Sequence, residues 1–120
     1  MKYLIDSNII IYYLNGSKDA KKFIDTNYTQ SCISLITYYE VLNFDFSPKD
    51  EELVKDFLKK FTILPLSEDI IEQSLKNRKR RKIKMADNFI LSTAQTYNLQ
   101  IVTKNVKDFI YFCSNLVEPF

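Results

Sequence analysis

Apolar residues follow two alternating rhythms along the chain. Short runs at Lys2 to Ile5, Gln30 to Ile33, Thr62 to Leu64, Ile101 to Thr103 and Leu116 to Glu118 have the length and branched content of strands. Between them apolar side chains recur at helical spacing. Ser7 and Asn8 can cap a helix from Ile9 to Leu14, which Gly16 stops. Ser17 to Asp25 carries Ala20, Phe23 and Ile24 on one face. Ser34 can cap a helix that runs through Glu40 to about Phe44. Ser47-Pro48 opens another, with Asp50, Glu51 and Glu52 near its positive end and an apolar face of Leu53, Val54, Phe57, Leu58 and Phe61. Pro65 ends the third strand, and Ser67 caps a helix whose inner face is Ile70, Ile71, Ser74 and Leu75. Asp87 to Tyr97 is expected to face inward with Phe89, Ile90, Ala94 and Tyr97, and Val106 to about Phe112 forms a short helix.

Short strands alternating with helices predict an α/β fold, a short central parallel sheet flanked by helices in three layers. The 120 residues suit one domain, with no repeat, low-complexity tract or Pro/Gly-rich linker to divide them. Ligands in such folds gather outside the carboxyl ends of the strands. Asp6 and the segment from Thr103 to Asp108 fall at that edge.

Composition narrows the chemistry by what is missing. Without histidine there is no Ser-His-Asp or Cys-His machinery and no imidazole ligand for zinc. One glycine, Gly16, excludes a Walker loop and a dinucleotide-binding fingerprint. Cys32 and Cys113 are isolated, which suits reduced thiols. Asp6 interrupts the N-terminal apolar stretch, and Ile9 to Leu14 is too short to span a bilayer, so a soluble, cytoplasmic protein is expected.

Carboxylates therefore carry the chemical argument. A lone Asp or Glu is most often solvated surface or a helix cap. Glu40 resists that reading, because it sits mid-helix among Tyr38, Tyr39, Val41 and Leu42, on a helix expected to be largely buried, with Ser34 and Thr37 at three-residue steps before it. Asp6, Glu40, Asp87 and Asp108, if they converge, repel one another unless a cation compensates. An all-oxygen set suits Mg²⁺ or Mn²⁺, which can activate water without a histidine base. The expected chemistry is phosphodiester hydrolysis.

Net charge is only +2, but seven basic side chains lie between Lys76 and Lys84, and the remainder of the chain carries −5. The asymmetry points to a polyanionic partner. Arg78, Arg80, Arg81, Lys82 and Lys84 are the candidate contacts to the backbone of such a polyanion, against the plainer reading of a solvated helix end. A related option is that some of them also meet an acidic protein tail. Tyr12, Tyr13, Tyr38 and Tyr39 are expected in core or dimer packing more than in base stacking.

Four segments in order resemble the PIN domain, and within it the VapC-like toxin ribonucleases of toxin–antitoxin pairs. They are Leu4-Ile5-Asp6-Ser7-Asn8, the Glu40 helix from Ser34 to Leu42, Asp87-Asn88-Phe89-Ile90-Leu91-Ser92-Thr93-Ala94, and Val102-Thr103-Lys104-Asn105-Val106-Lys107-Asp108-Phe109. The resemblance spans nearly the whole chain. It implies a Mg²⁺- or Mn²⁺-dependent endoribonuclease leaving 5′-phosphate and 3′-hydroxyl ends, a small cognate antitoxin and a homodimer. It implies Asp6, Glu40 and Asp87 as metal carboxylates. Many relatives carry an acid where this chain has Asn105, so Asp108 is expected as a weaker or water-mediated contributor and Asn105 as a polar contact. Asn8, Thr37 and Thr103 are expected to support the carboxylates or meet a substrate phosphate. The rival reading is a non-catalytic RNA- or antitoxin-binding module that keeps the fold. A phosphoacceptor domain is disfavoured, because no Asp-Asp pair follows the first strand.

Overall fold

In the computed structural model, which describes residues 1–120, all the strands run parallel in the order β3-β2-β1-β4-β5. They are β1 (Tyr3–Ile5), β2 (Ser31–Ser34), β3 (Thr62–Leu64), β4 (Gln100–Val102) and β5 (Leu116–Val117). The expected three-layer α/β architecture is present. The chain first builds outward from β1 through β2 to β3, then returns to the other side of β1 as β4. The gap between the carboxyl ends of β1 and β4 is therefore the point where strand order reverses.

Alternation along each strand divides the core into two layers. Ile5, Ile33 and Val102 point to one face. There they meet α1 (Ser7–Leu14), α2 (Lys18–Asn27), α3 (Leu35–Leu42) and α4 (Pro48–Leu58) through Ile9, Ile10, Ile24, Val41, Val54 and Leu58. Leu4, Cys32 and Ile101 point to the other. That face is covered by α6 (Met85–Tyr97) and α7 (Val106–Phe109) through Ile90, Leu91, Ala94 and Phe109, with α5 (Glu68–Arg80) packed outside α6. Tyr13 stacks on Phe57 at 4.5 Å, fixing α1 to α4, as core packing would require.

Several local expectations shift. Asp6, not Ser7 or Asn8, caps α1: its carboxylate accepts from Ser7 N at 2.8 Å, and Ser7 and Asn8 are already helical. Helix α6 begins two residues before Asp87, which places Asp87 in the first turn, and α7 stops at Phe109. The strand expected to end at Thr103 stops at Val102, and that expected from Gln30 starts at Ser31. Leu53, Leu75 and Tyr97, expected inward, are exposed, because each helix keeps only a narrow stripe against the core. Gly16 (φ +88) turns the chain out of α1, and Asn98 (φ 55) does so after α6.

A buried polar cluster locks α5 to α6. Asn77 is 1% exposed, and its Nδ2 lies 2.8 Å from Gln95 Oε1, 3.0 Å from Ser92 Oγ and 3.2 Å from Asn88 Oδ1. Asn88 Nδ2 donates to the Ser74 carbonyl at 2.8 Å. No buried side-chain polar atom is left without a partner. Removing the hub would take the Asn77 donor from the fully buried Ser92 hydroxyl and leave a void between α5 and α6. Asn77→Ala should therefore cost about 2–3 kcal/mol in denaturant unfolding. A loss under about 0.5 kcal/mol would mean that the cluster adds nothing to stability.

Candidate active site

Backbone pairing fixes the first carboxylate. Asp6 N donates to the Val102 carbonyl at 2.9 Å, continuing the β1–β4 ladder one step past the strand and setting Asp6 beside Thr103. Asp6 is 5% exposed, and its oxygens are held from three sides. Thr103 Oγ1 donates to Oδ2 at 2.8 Å, Asn8 Nδ2 donates to the same oxygen at 3.1 Å, and Ser7 N donates to Oδ1. Asn8 also accepts from Lys104 N at 3.1 Å, and Thr103 Oγ1 accepts from Asn105 N at 2.9 Å. The turn after β4 is thus bound to the start of α1.

Glu40 arrives from α3. Ser7 Oγ donates to its Oε1 at 2.6 Å and lies 3.4 Å from Thr37 Oγ1. Thr37 is fully buried, whereas Glu40 is only half-buried, less than the sequence suggested. Ser7 is the residue that sequence reasoning missed: it reads as a helix cap, but it is the strut between α1 and the Glu40 carboxylate. Asp87 enters from the first turn of α6, half-buried, held there by the Asn77–Asn88 cluster one residue on. Asp108, on α7, is exposed. Asn105 is also exposed, and its side chain makes no hydrogen bond within the chain; only its backbone joins the site.

The carboxylates sense one another. Burial pushes the Asp6 carboxyl up to about 6, against the hydrogen bonds from Thr103 and Ser7 N, with the charges of Asp87 and Glu40 adding to the rise. Asp87 is also raised, first by burial, then by Asp108 and Glu40, with Lys84 partly offsetting. None of the four takes part in a salt bridge. No three of them stand close enough to enclose an ion as they are placed. The donors are nonetheless all carboxylate oxygens engaged in no salt bridge, a set that fits a hard divalent cation and not zinc or copper.

Two depressions reach this region. One, of ≈ 290 Å³, is lined by Asp87, Asp108, Arg81, Lys82 and Lys84, so these candidate basic residues do lie beside the acids. Arg78 stays exposed on α5 outside that depression, and Arg80 leans on aromatic rings instead. The other, of ≈ 390 Å³, is an apolar groove between α1 and α3 with Ile11, Leu14, Val41 and Phe44 in its walls and Glu40 at one side. Of the tyrosines, Tyr12 and Tyr39 are exposed, while Tyr13 and Tyr38 pack against the core. No helix is long and apolar enough to cross a membrane.

A family model for the PIN domain matches residues 3–111. A search of curated proteins finds no match. Among solved structures, a toxin–antitoxin complex from Klebsiella pneumoniae is similar at 35% identity and TM-score 0.89, covering 99% of this chain and 98% of that one. FitAcB from Neisseria gonorrhoeae has the same fold at 21% identity and TM-score 0.82, covering 98% and 97%. So does VapBC2 from Rickettsia felis bound to a promoter DNA fragment, at 22% and 0.79, covering 98% and 96%.

The raised Asp6 group makes stability depend on pH. Its folded pKa of about 6 exceeds the ordinary 3.8, so between those values the folded state binds the extra proton. In metal-free protein, stability from this group is present below about pH 4 and lost as pH rises through about 6, by about 3 kcal/mol. Asp6→Asn keeps a good helix cap. In EDTA it should melt several degrees above the native protein at pH 7 and converge with it near pH 4. An equal or lower melting temperature at pH 7 would refute this account.

Proposed function

The chain belongs to the PIN domain family, and from that premise we propose that it is a metal-dependent endoribonuclease, the toxin of a type II toxin–antitoxin pair. The observation that carries this reading is the gathering of Asp6, Glu40 and Asp87 from three separate elements to one sheet edge, where the charge of Glu40 adds to the raised proton affinity of both Asp6 and Asp87. A protein gains nothing in stability from that arrangement. Asp6, Glu40 and Asp87 would hold Mg²⁺ or Mn²⁺, with Asp108 contributing from the exposed side. When bound, the ion supplies a Lewis acid that activates water and neutralises charge on the phosphate. The chain's own residues do the rest. Thr103, Asn8 and Ser7 N orient Asp6. Ser7 aims Glu40. Arg81, Lys82 and Lys84 offer the RNA backbone a positive edge beside the carboxylates.

A small antitoxin as partner is supported by the toxin–antitoxin complexes the chain resembles. Exposed Leu35, Tyr39 and Phe44 along and beyond α3, with apolar depressions on either side of that helix, suit it and a homodimer alike. A second reading, a binding module without turnover, is favoured by two facts. No three carboxylates are close enough to enclose an ion as placed, and position 105, where the family resemblance implies an acid, is an exposed Asn whose side chain makes no hydrogen bond.

Cleavage of RNA in Mn²⁺, in EDTA, and by variants separates the two. Asp6→Ala and Asp87→Asn should each reduce cleavage by at least about 10²-fold, and EDTA should abolish it. Ser7→Ala should lower metal-supported cleavage about 10- to 100-fold, and Asp108→Asn should do less than Asp87→Asn. Salt-sensitive RNA binding with no turnover at any metal concentration would select the binding module instead.

A further inference from the structure

The segment joining α5 to α6 has little to hold it. Lys82 and Ile83 take no backbone hydrogen bond, and only Ile83 reaches the core. The cations on it belong to no salt bridge. An anchor comes from the residues just past α7. The Arg81 guanidinium lies 4.5 Å from the centre of the Tyr111 ring. That of Arg80 lies 5.6 Å from Tyr111 and 5.8 Å from Phe112. The two rings meet edge to face at 5.1 Å. Adjacent guanidinium groups repel, yet both lean on one aromatic pair, which is the signature of cation–π attraction.

This contact joins the two walls of the cleft that holds Asp87 and Asp108. One wall carries Arg81, Lys82 and Lys84; the other carries Lys107 and Tyr111. Four cations thus face two carboxylates, and none of the four is paired. Tyr111 is 49% exposed, so the fold does not need it as core.

We propose that this cleft is the RNA-backbone subsite, that Lys107 is a phosphate contact in it, and that Tyr111 is its positioning residue. By holding Arg81, Tyr111 keeps the basic segment closed over Asp87 and Asp108. The proposal rests on the ribonuclease reading and assigns to it two residues outside the basic run. The cleft's positive surplus suits a polyanion, and its two carboxylates belong to the ribonuclease reading, so a phosphodiester chain is the occupant argued for and an acidic peptide is the other outcome of the test.

The test is affinity of the full chain for a labelled single-stranded RNA oligonucleotide, by fluorescence anisotropy in Mg²⁺. It is done in an Asp6→Asn background so that the RNA survives. Tyr111→Leu should weaken binding about tenfold, and Tyr111→Phe, which keeps a ring under Arg81, should stay within about twofold. Lys107→Gln should weaken binding and lower the salt slope by about one, read between about 50 and 200 mM salt. With Asp6 restored, Tyr111→Leu should raise KM and leave kcat within about twofold. RNA bound equally by the Asp6→Asn protein and by its Tyr111→Leu and Lys107→Gln derivatives would overturn the subsite and leave the ribonuclease reading standing. Displacement by Tyr111→Phe as large as by Tyr111→Leu would overturn the clamp. No RNA binding by any form, with tight binding of an acidic peptide, would overturn both.

Discussion

The Thr103 hydroxyl, 2.8 Å from the Asp6 carboxylate, ties together the carboxyl ends of β1 and β4. Those strands are neighbours because the sheet reverses its order between them. The half of the site that holds Asp6 and Glu40 is built outward from this bond. Asn8 joins both partners, binds the turn after β4, and so fixes the start of α1. Ser7, one residue away, then sets Glu40. A buried carboxylate is expensive, and here hydrogen bonds offset only part of the cost, since the group stays raised to about 6. Stability and chemistry therefore pull in opposite directions at Asp6.

The second wall of the site depends on a different device. Asp87 has no such cage of its own. It is placed by the helix that carries it, and that helix is locked to α5 by the amides of Asn77 and Asn88. Amides can satisfy one another in a buried space without adding charge. The same lock places the end of α5, from which the basic segment departs. One neutral cluster thus positions both an acid and the cations beside it.

Much of this was legible in the sequence. The strand and helix rhythm predicts the α/β layers, and the missing histidines direct attention to Asp6, Glu40 and Asp87. What stayed hidden was the work of uncharged groups. Ser7 reads as a cap because Ser before an apolar helix usually is one, and only the tertiary approach of α3 gives its hydroxyl to Glu40. Asn77 sits in a run so basic that an amide passes unnoticed, although Asn88 and Ser92, four apart on the next helix, mark a polar stripe facing it. Leu53, Leu75 and Tyr97 were misread because helical spacing reports a face, not how wide a stripe the neighbouring layer covers.

The bond between Thr103 and Asp6 spans 97 residues of chain. During synthesis the N-terminal strand leaves the ribosome long before its partner exists, and its pairing with β4 must wait for almost the whole domain. Until then Asp6 hangs on an unclosed sheet edge, without the hydroxyl that orients it. A nascent chain carries the acids but not their arrangement. The order in which the polypeptide appears therefore delays any activity of this site until β4 and Thr103 have been made.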